Sequence, residues 1–327
     1  MVNFELIKID SEFEKVLKED QELKEIAARE FAKSEGIPVE NALEMKGDWS
    51  LILGLNRFTI EYVGDFQKRN IPKTIISKKF KIKEINAEWT IVPNSNRENA
   101  FLYFFGGGYI MGSLNASSYI RYLLSKYTGV DVLGIDYSLA PETPFPAALD
   151  DAISSYEWLL SNGYDAQNII IGGSSAGGGL AMATLLKAKE IGLKLPKAAV
   201  LISPWVDLTC RAKSIRKSRE IQPELATGLK PMSSLYAKGE NKKNPYISPV
   251  FGNFNKLPPL LIHAGSVEGL LDDAQLLANN AKSQNVEVEL KIWDNMPHDF
   301  HTYGDNHPTG KLAFEDISDF VQKHLNL

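Results

Sequence analysis

Several things are scarce in this chain, and each scarcity removes a class of protein. There is one cysteine, Cys210, in 327 residues, so an intramolecular disulfide framework is excluded. Cys210 lies among polar residues with no partner base nearby in sequence, and it does not read as a nucleophile. No run approaches the roughly 18 apolar residues that a membrane span needs, so no membrane association is expected. The segment Met1 to Asp10 has neither the charged start nor the apolar stretch of a secretion signal, which makes a cytoplasmic protein the expectation. An excess of basic charge is also missing: 36 Lys and Arg stand against 41 Asp and Glu, a formal net charge of -5, whereas nucleic-acid binding normally shows a basic face. The local basic patches Arg211 to Arg219 and Lys78 to Lys83 read as solvated surface. Internal repeats and low-complexity tracts are absent.

What is present has the balance of an ordinary globular protein, 44% hydrophobic and 24% charged. The N-terminal block, residues 1 to 72, differs from the rest. Ser11 and Glu14 form a capping box ahead of Val16, Leu17, Leu23, Ile26 and Ala27 at helical spacing. That helix is expected to run to Ser34, where Gly36-Ile37-Pro38 breaks it, with shorter helices over Val39 to Met45 and Leu51 to Asn70. From Thr74 the period changes to two, predicting an edge hairpin whose second strand is Ile85 to Val92. Buried-type strands follow at Ala100 to Phe105, Val130 to Ile135, Ile169 to Ile171, Ala198 to Ile202, Leu260 to Ala264 and Val286 to Ile292. Helical patterns alternate with them at Ser117 to Tyr127, Pro146 to Leu160, Gly177 to Ile191, Leu270 to Ser283 and Lys311 to His324. Such alternation predicts an α/β architecture, a mainly parallel sheet with helices on both faces. Asp207 to Pro245, polar and helix-prone, interrupts it as an insertion of about 207–245 in an α/β domain of 73–327. With the N-terminal helices it is expected to cap the sheet.

The chemistry concentrates at Ile169 to Leu180, an apolar run that breaks into glycine and serine and resumes as a helix. Gly173-Ser174-Ser175-Ala176-Gly177 fits G-x-S-x-G, in which a sharp strand-to-helix turn exposes one serine hydroxyl, here Ser175. A phosphate cradle would use the same geometry, but no lysine follows as a phosphate loop requires. A serine needs a base, usually a histidine oriented by a carboxylate. Of five histidines, His263 lies in a buried strand, and His307 and His324 fall in polar stretches read as exposed. His298 and His301 remain, in Met296-Pro297-His298-Asp299-Phe300-His301 directly after the last strand, where open α/β sheets carry their catalytic groups. A metal site is the other reading of this His-Asp-His segment; no further ligand cluster accompanies it. For the carboxylate, Glu268 follows the strand Leu260 to Ala264, and Asp272 and Asp273 compete from the first turn of the next helix, where acids are favoured in any case. Phe105-Gly106-Gly107-Gly108-Tyr109, straight after an early strand, offers bare backbone for an oxyanion hole. Gly107 and Gly108 are the expected donors, with Ala176 as the third.

These residues resemble the bacterial hormone-sensitive-lipase-like family of α/β-hydrolases. Its HGGG loop corresponds to Gly106-Gly107-Gly108-Tyr109. Asp136-Tyr137-Ser138-Leu139-Ala140-Pro141-Glu142, Phe145-Pro146-Ala147-Ala148, Gly173 to Gly177 and Ser203-Pro204-Trp205 match in order. The D-P-L-x-D motif corresponds to Glu268-Gly269-Leu270-Leu271-Asp272, and H-G-F to His298-Asp299-Phe300, which favours Glu268 and His298 within the choices above. The resemblance implies the α/β-hydrolase fold with a helical cap and a serine carboxylesterase acting on small or medium acyl esters. It implies no cofactor or metal, a small-molecule ester as the partner, and admits a homodimer through a sheet edge. It also admits a non-catalytic reading, because plant gibberellin receptors on the same scaffold bind a small molecule without turning it over. Four positions depart from the pattern: Phe105 for the loop histidine, Ser138 for arginine, Ser174 for aspartate and Glu268 for aspartate. Loss of the loop histidine is expected to remove hydrogen bonds that hold the oxyanion loop.

Overall fold

The computed structural model describes residues 11–327. The segment read above for a secretion signal lies outside the described residues, as does the side chain of Ser11 expected to cap the first helix. Helix α1 spans Ser11–Glu35 and stops where Gly36 turns left-handed at φ 66°. After α2 (Val39–Leu43), α3 (Trp49–Lys68) begins where the Asp48 carboxylate accepts the Leu51 N–H at 2.9 Å. Strands β1 (Ile76–Ile82) and β2 (Ile85–Ile91) form the expected antiparallel hairpin, closed by Lys83-Glu84 with Lys83 at φ 53°.

Next come β3 (Asn96–Phe104), α4 (Ser118–Thr128), β4 (Val130–Ile135), α5 (Ala147–Ser161), β5 (Ile169–Ser174), α6 (Ala176–Glu190) and β6 (Ala198–Ile202). Short α7 (Lys213–Lys217) and longer α8 (Pro223–Ala237) fill the insertion without a strand, before β7 (Leu260–Gly265), α9 (Leu271–Ser283), β8 (Val288–Trp293) and α10 (Pro308–Leu325). The eight strands pair in the order β1-β2-β4-β3-β5-β6-β7-β8, antiparallel up to the β2–β4 pair and parallel thereafter. Every residue of β4, β5, β6 and β7 is buried. This is why their sequences are near-continuous apolar or small runs, interrupted by Asp131 and His263, rather than alternations. Helix α6 is buried almost all round, so β5 and α6 form the centre of the molecule.

Two expectations are corrected, for His307 and His324, and the structure adds the burial of Cys210. His307 is buried because its imidazole caps α10, accepting the Thr309 N–H at 3.2 Å. His324 is largely buried against the Phe320 ring, 4.4 Å between centroids. Cys210, for all its polar neighbours in sequence, is buried, and burial pushes its thiol up to about 12.

Arg121, which no pattern in the sequence singles out, is fully buried beneath β2. Its guanidinium donates to Thr90 Oγ1 and to Leu114 O, both at 2.7 Å, and lies 3.6 Å from the Glu88 carboxylate. Removing one member of a buried ion pair strands the other and costs about 3–5 kcal/mol. Arg121→Met is therefore expected to lower the unfolding free energy by about 3 kcal/mol or more, read as a lower urea midpoint, whereas a change within about 0.5 kcal/mol would place Arg121 among ordinary surface positions.

Candidate active site

Ser175 sits between the last residue of β5 and the first of α6, at φ 53° and ψ -118°. A non-glycine residue is strained there by about 1–3 kcal/mol. Two backbone hydrogen bonds hold the conformation: Ser175 N–H donates to Ile202 O at 2.8 Å, and Trp205 N–H donates to Ser175 O at 2.9 Å. The small residues around it are required by space, since a Cβ on Gly177 would run into the carbonyl oxygens of Phe104 and Phe105.

His298 follows β8 and brings Nε2 to 3.0 Å from Ser175 Oγ. Its Nδ1 lies 3.5 Å from Glu268 Oε1, long for a hydrogen bond. Among the described residues neither of these two buried atoms has another partner. The second oxygen of Glu268 is fixed by the Ser203 hydroxyl and by the Gly265 N–H, each donating at 2.7 Å. Gln222, at the start of α8, grips the backbone on the other side. Its Oε1 accepts the His298 N–H at 2.9 Å, and its Nε2 donates to His298 O at 3.4 Å.

The competing candidates are engaged elsewhere. His301 is fully buried with Nε2 3.0 Å from His263 Nδ1, and His263 in turn reaches Asp316 at 2.8 Å. Burial, then the neighbouring histidines, hold His301 well below the usual imidazole value. Asp272 accepts the N–H groups of Lys213 and Ser214 at 2.7 and 3.0 Å. Asp273 accepts those of Val206 and Asp207 at 3.0 and 2.8 Å, and burial pushes it up to about 8. Among the described residues, a His-and-carboxylate group spaced for a metal occurs at Glu287, Glu289 and His324, where Lys323 already binds both carboxylates.

The glycine loop after β3 faces the serine. Gly108 takes φ 63°, and among the described residues no loop hydrogen bond uses the N–H of Gly107 or Gly108. Aromatic contacts hold this loop where the family pattern would place a histidine. Phe105 stacks on Tyr137 at 4.2 Å, Tyr137 O–H donates to Phe105 O at 2.8 Å, and Tyr109 stacks on Tyr236 of α8 at 3.9 Å. Arg57 from α3 donates to Ile110 O at 2.8 Å and pairs with Glu142 through two hydrogen bonds, at 2.7 and 2.8 Å.

The residue sequence reasoning left without a role is Asp299. It occupies the left-handed region at φ 54°, where the family pattern has glycine. Its Oδ2 lies 3.6 Å from His298 Nε2, and burial pushes its carboxyl up to about 6. Two chambers meet at His298 and Asp299. One, of about 430 Å³, is walled by Trp49, Ile52, Leu225, Leu229 and Met232 and contains Ser175. The other, of about 250 Å³, is lined by Tyr103, Ser174, Gln222 and Thr302.

Burial pushes the His298 imidazole down, but the carboxylates of Asp299 and Glu268 outweigh it, and the net shift is upward from 6.5. The neutral imidazole is the form that can take the Ser175 proton. The rate at which a fluorophosphonate labels Ser175 is therefore expected to fall, as pH drops, with a midpoint above 6.5. Asp299→Asn removes a charge that raises the imidazole, so the midpoint should move down; an unmoved midpoint would show that Asp299 does not act on His298.

Comparison with known proteins agrees with the geometry. A family model described as "alpha/beta hydrolase fold" matches residues 101–302. An acetyl-hydrolase of Streptomyces hygroscopicus is 39% identical over 238 residues, 72% of this chain and 79% of its own. An esterase of Acinetobacter venetianus is 33% identical over 221 residues, 67% of this chain and 73% of its own. Among solved structures, an esterase from the bacterial hormone-sensitive lipase family superposes with a TM-score of 0.81 at 33% identity, covering 94% of this chain and 98% of that one. An eight-stranded, mostly parallel sheet, a strained serine at its central strand-to-helix turn and these relatives agree: the chain belongs to the α/β-hydrolase family, in its bacterial hormone-sensitive-lipase-like branch.

Proposed function

We propose that the protein is a serine carboxylesterase that hydrolyses short- to medium-chain acyl esters through a Ser175, His298, Glu268 triad and an acyl-enzyme. The observation that carries this is the 3.0 Å approach of His298 Nε2 to the hydroxyl of a backbone-strained serine. His298 takes the Ser175 proton as Oγ attacks the ester carbonyl. The backbone N–H groups of Gly107, Gly108 and Ala176 hold the oxygen that becomes negative, and His298 then gives its proton to the leaving alcohol. Water repeats the cycle on the acyl-enzyme. Glu268 needs only to orient the imidazole and stabilise its charged form, and its longer side chain is accommodated by the hydroxyl of Ser203, itself at φ 44°.

In this reading the described part of the N-terminal block, residues 11–72, and the insertion at about 207–245 form a cap on the catalytic domain of 73–327. Trp49 and Ile52 from α3, with Leu225 and Met232 from α8, wall the larger chamber, whose size suits a short or medium acyl chain and whose closure excludes water. The names of relatives point the same way, acetyl-hydrolase and esterase among them. Among the described residues no helix is long and apolar enough to cross a membrane. A lone buried cysteine is compatible with the reducing cytoplasm, and the partly exposed edge strand β8 is compatible with a homodimer.

Turnover of p-nitrophenyl esters from acetate to palmitate tests the proposal. Activity should peak at the short end and fall by about 10⁴-fold or more in Ser175→Ala. A folded protein that turns over none of the series and resists fluorophosphonate would instead be a binding protein on this scaffold.

A further inference from the structure

The smaller chamber differs in kind from the larger one, and Asp299 stands at its mouth. Three observations bear on what it receives. First, the Asp299 carboxylate is unsatisfied: Oδ1 is buried with no hydrogen-bond partner among the described residues, a state that costs about 1–3 kcal/mol, more when the group is charged. Second, among the described residues no free lysine or arginine is available to it. Lys24 is the one lysine or arginine among the described residues lining the chamber, and it is held by Asp20 at 2.7 Å. Third, Asp299 Oδ2 lies 3.6 Å from His298 Nε2, the atom that must hand its proton to the leaving oxygen. If the oxygen of the departing alcohol sits beside Nε2, the next atoms of that alcohol pass the Asp299 carboxylate.

Resting on the esterase reading above, we propose that the 250 Å³ chamber is the alcohol subsite and that Asp299 selects esters whose alcohol carries a hydrogen-bond donor two or three atoms beyond the leaving oxygen. A hydroxyl, as in a monoester of a diol or polyol, and a protonated amine, as in an amino-alcohol ester, share that chemistry. The acyl chain occupies the apolar chamber walled by Leu225 and Met232. An anionic substituent on the alcohol is disfavoured, because Asp299 meets it without a compensating cation. The family pattern has glycine at this position. Asp299 therefore adds a carboxylate while keeping the left-handed backbone, which Asp and Asn tolerate better than most side chains.

The experiment uses matched pairs of butyrate esters: 2-hydroxyethyl against propyl, and 2-(dimethylamino)ethyl against 3-methylbutyl. Each kcat/KM ratio is divided by the ratio of the hydroxide-catalysed rates, so that leaving-group reactivity cancels. The wild-type protein should prefer the donor-bearing member of at least one pair by about tenfold, the scale of one hydrogen bond to a charged acceptor. A preference in the hydroxyl pair alone assigns a polyol, and one in the amine pair alone an amino alcohol. Asp299→Gly should bring the ratio to about 1, read within the variant so that any general loss of rate drops out. Asp299→Asn, close in shape and uncharged, should keep part of a hydroxyl preference and lose an amine preference. Equal rates within both pairs, or a preference that survives in Asp299→Gly, would overturn the assignment. Hydrolysis of p-nitrophenyl butyrate and fluorophosphonate labelling of the same preparation separate the two levels. Turnover without selectivity overturns the alcohol subsite alone, and absence of both turnover and labelling overturns the esterase reading with it.

Discussion

The structure depends on keeping one serine in a backbone conformation that it would not adopt on its own. Ser175 at φ 53° stores strain, and the surroundings must fix it from every side. Ile202 O takes its N–H, its own carbonyl takes the Trp205 N–H, and Gly177 lets α6 run against the carbonyls of Phe104 and Phe105. The burial of β5, β6 and α6 follows from the same requirement, because a turn at the surface could relax. The strain has a chemical use: it exposes Oγ above the carboxyl ends of the strands while the start of α6 directs backbone N–H groups at the same point.

Around that fixed point the charges are arranged against one another. Glu268 is tied by Ser203 and Gly265, so among the described residues its free oxygen has only His298 Nδ1 to face. Asp299 sits on the other side of the same ring, near Nε2. In the proposed mechanism one carboxylate lies behind the base and one beside the substrate; both favour the charged imidazole over burial, which disfavours it. The α/β-hydrolase scaffold needs only the first of these. The second stands where the family pattern has glycine, and Gln222 anchors His298 from the inserted helix α8.

Much of this was legible in the sequence because local pattern and global packing demand the same residues. Ile169 to Ile171 is apolar throughout, and Val130 to Ile135 is so apart from Asp131, since their strands are covered on both faces. Gly173 and Gly177 flank Ser175 because nothing larger fits, and the structure brings Ser175, His298 and Glu268 together from three distant segments. What escaped depended on partners far away in the chain. Arg121 looks like a surface residue of α4 until Glu88 and Thr90 are placed beside it. His307 and His324 lie in polar stretches and become buried only once α10 docks. The missing loop histidine was visible, but not that Phe105 finds Tyr137, 32 residues on, and stacks against it. Gln222 and Asp299 gave one faint signal between them: a non-glycine residue where the family pattern has glycine.

The central claim is that Ser175 itself carries the acyl group. Acid quenching during turnover of p-nitrophenyl trimethylacetate, whose crowded acyl group leaves slowly, followed by mass spectrometry of the digested protein, tests it directly. One trimethylacetyl group is expected on the peptide containing Ser175 and on no other. Turnover accompanied by an acyl group on a different residue would contradict it.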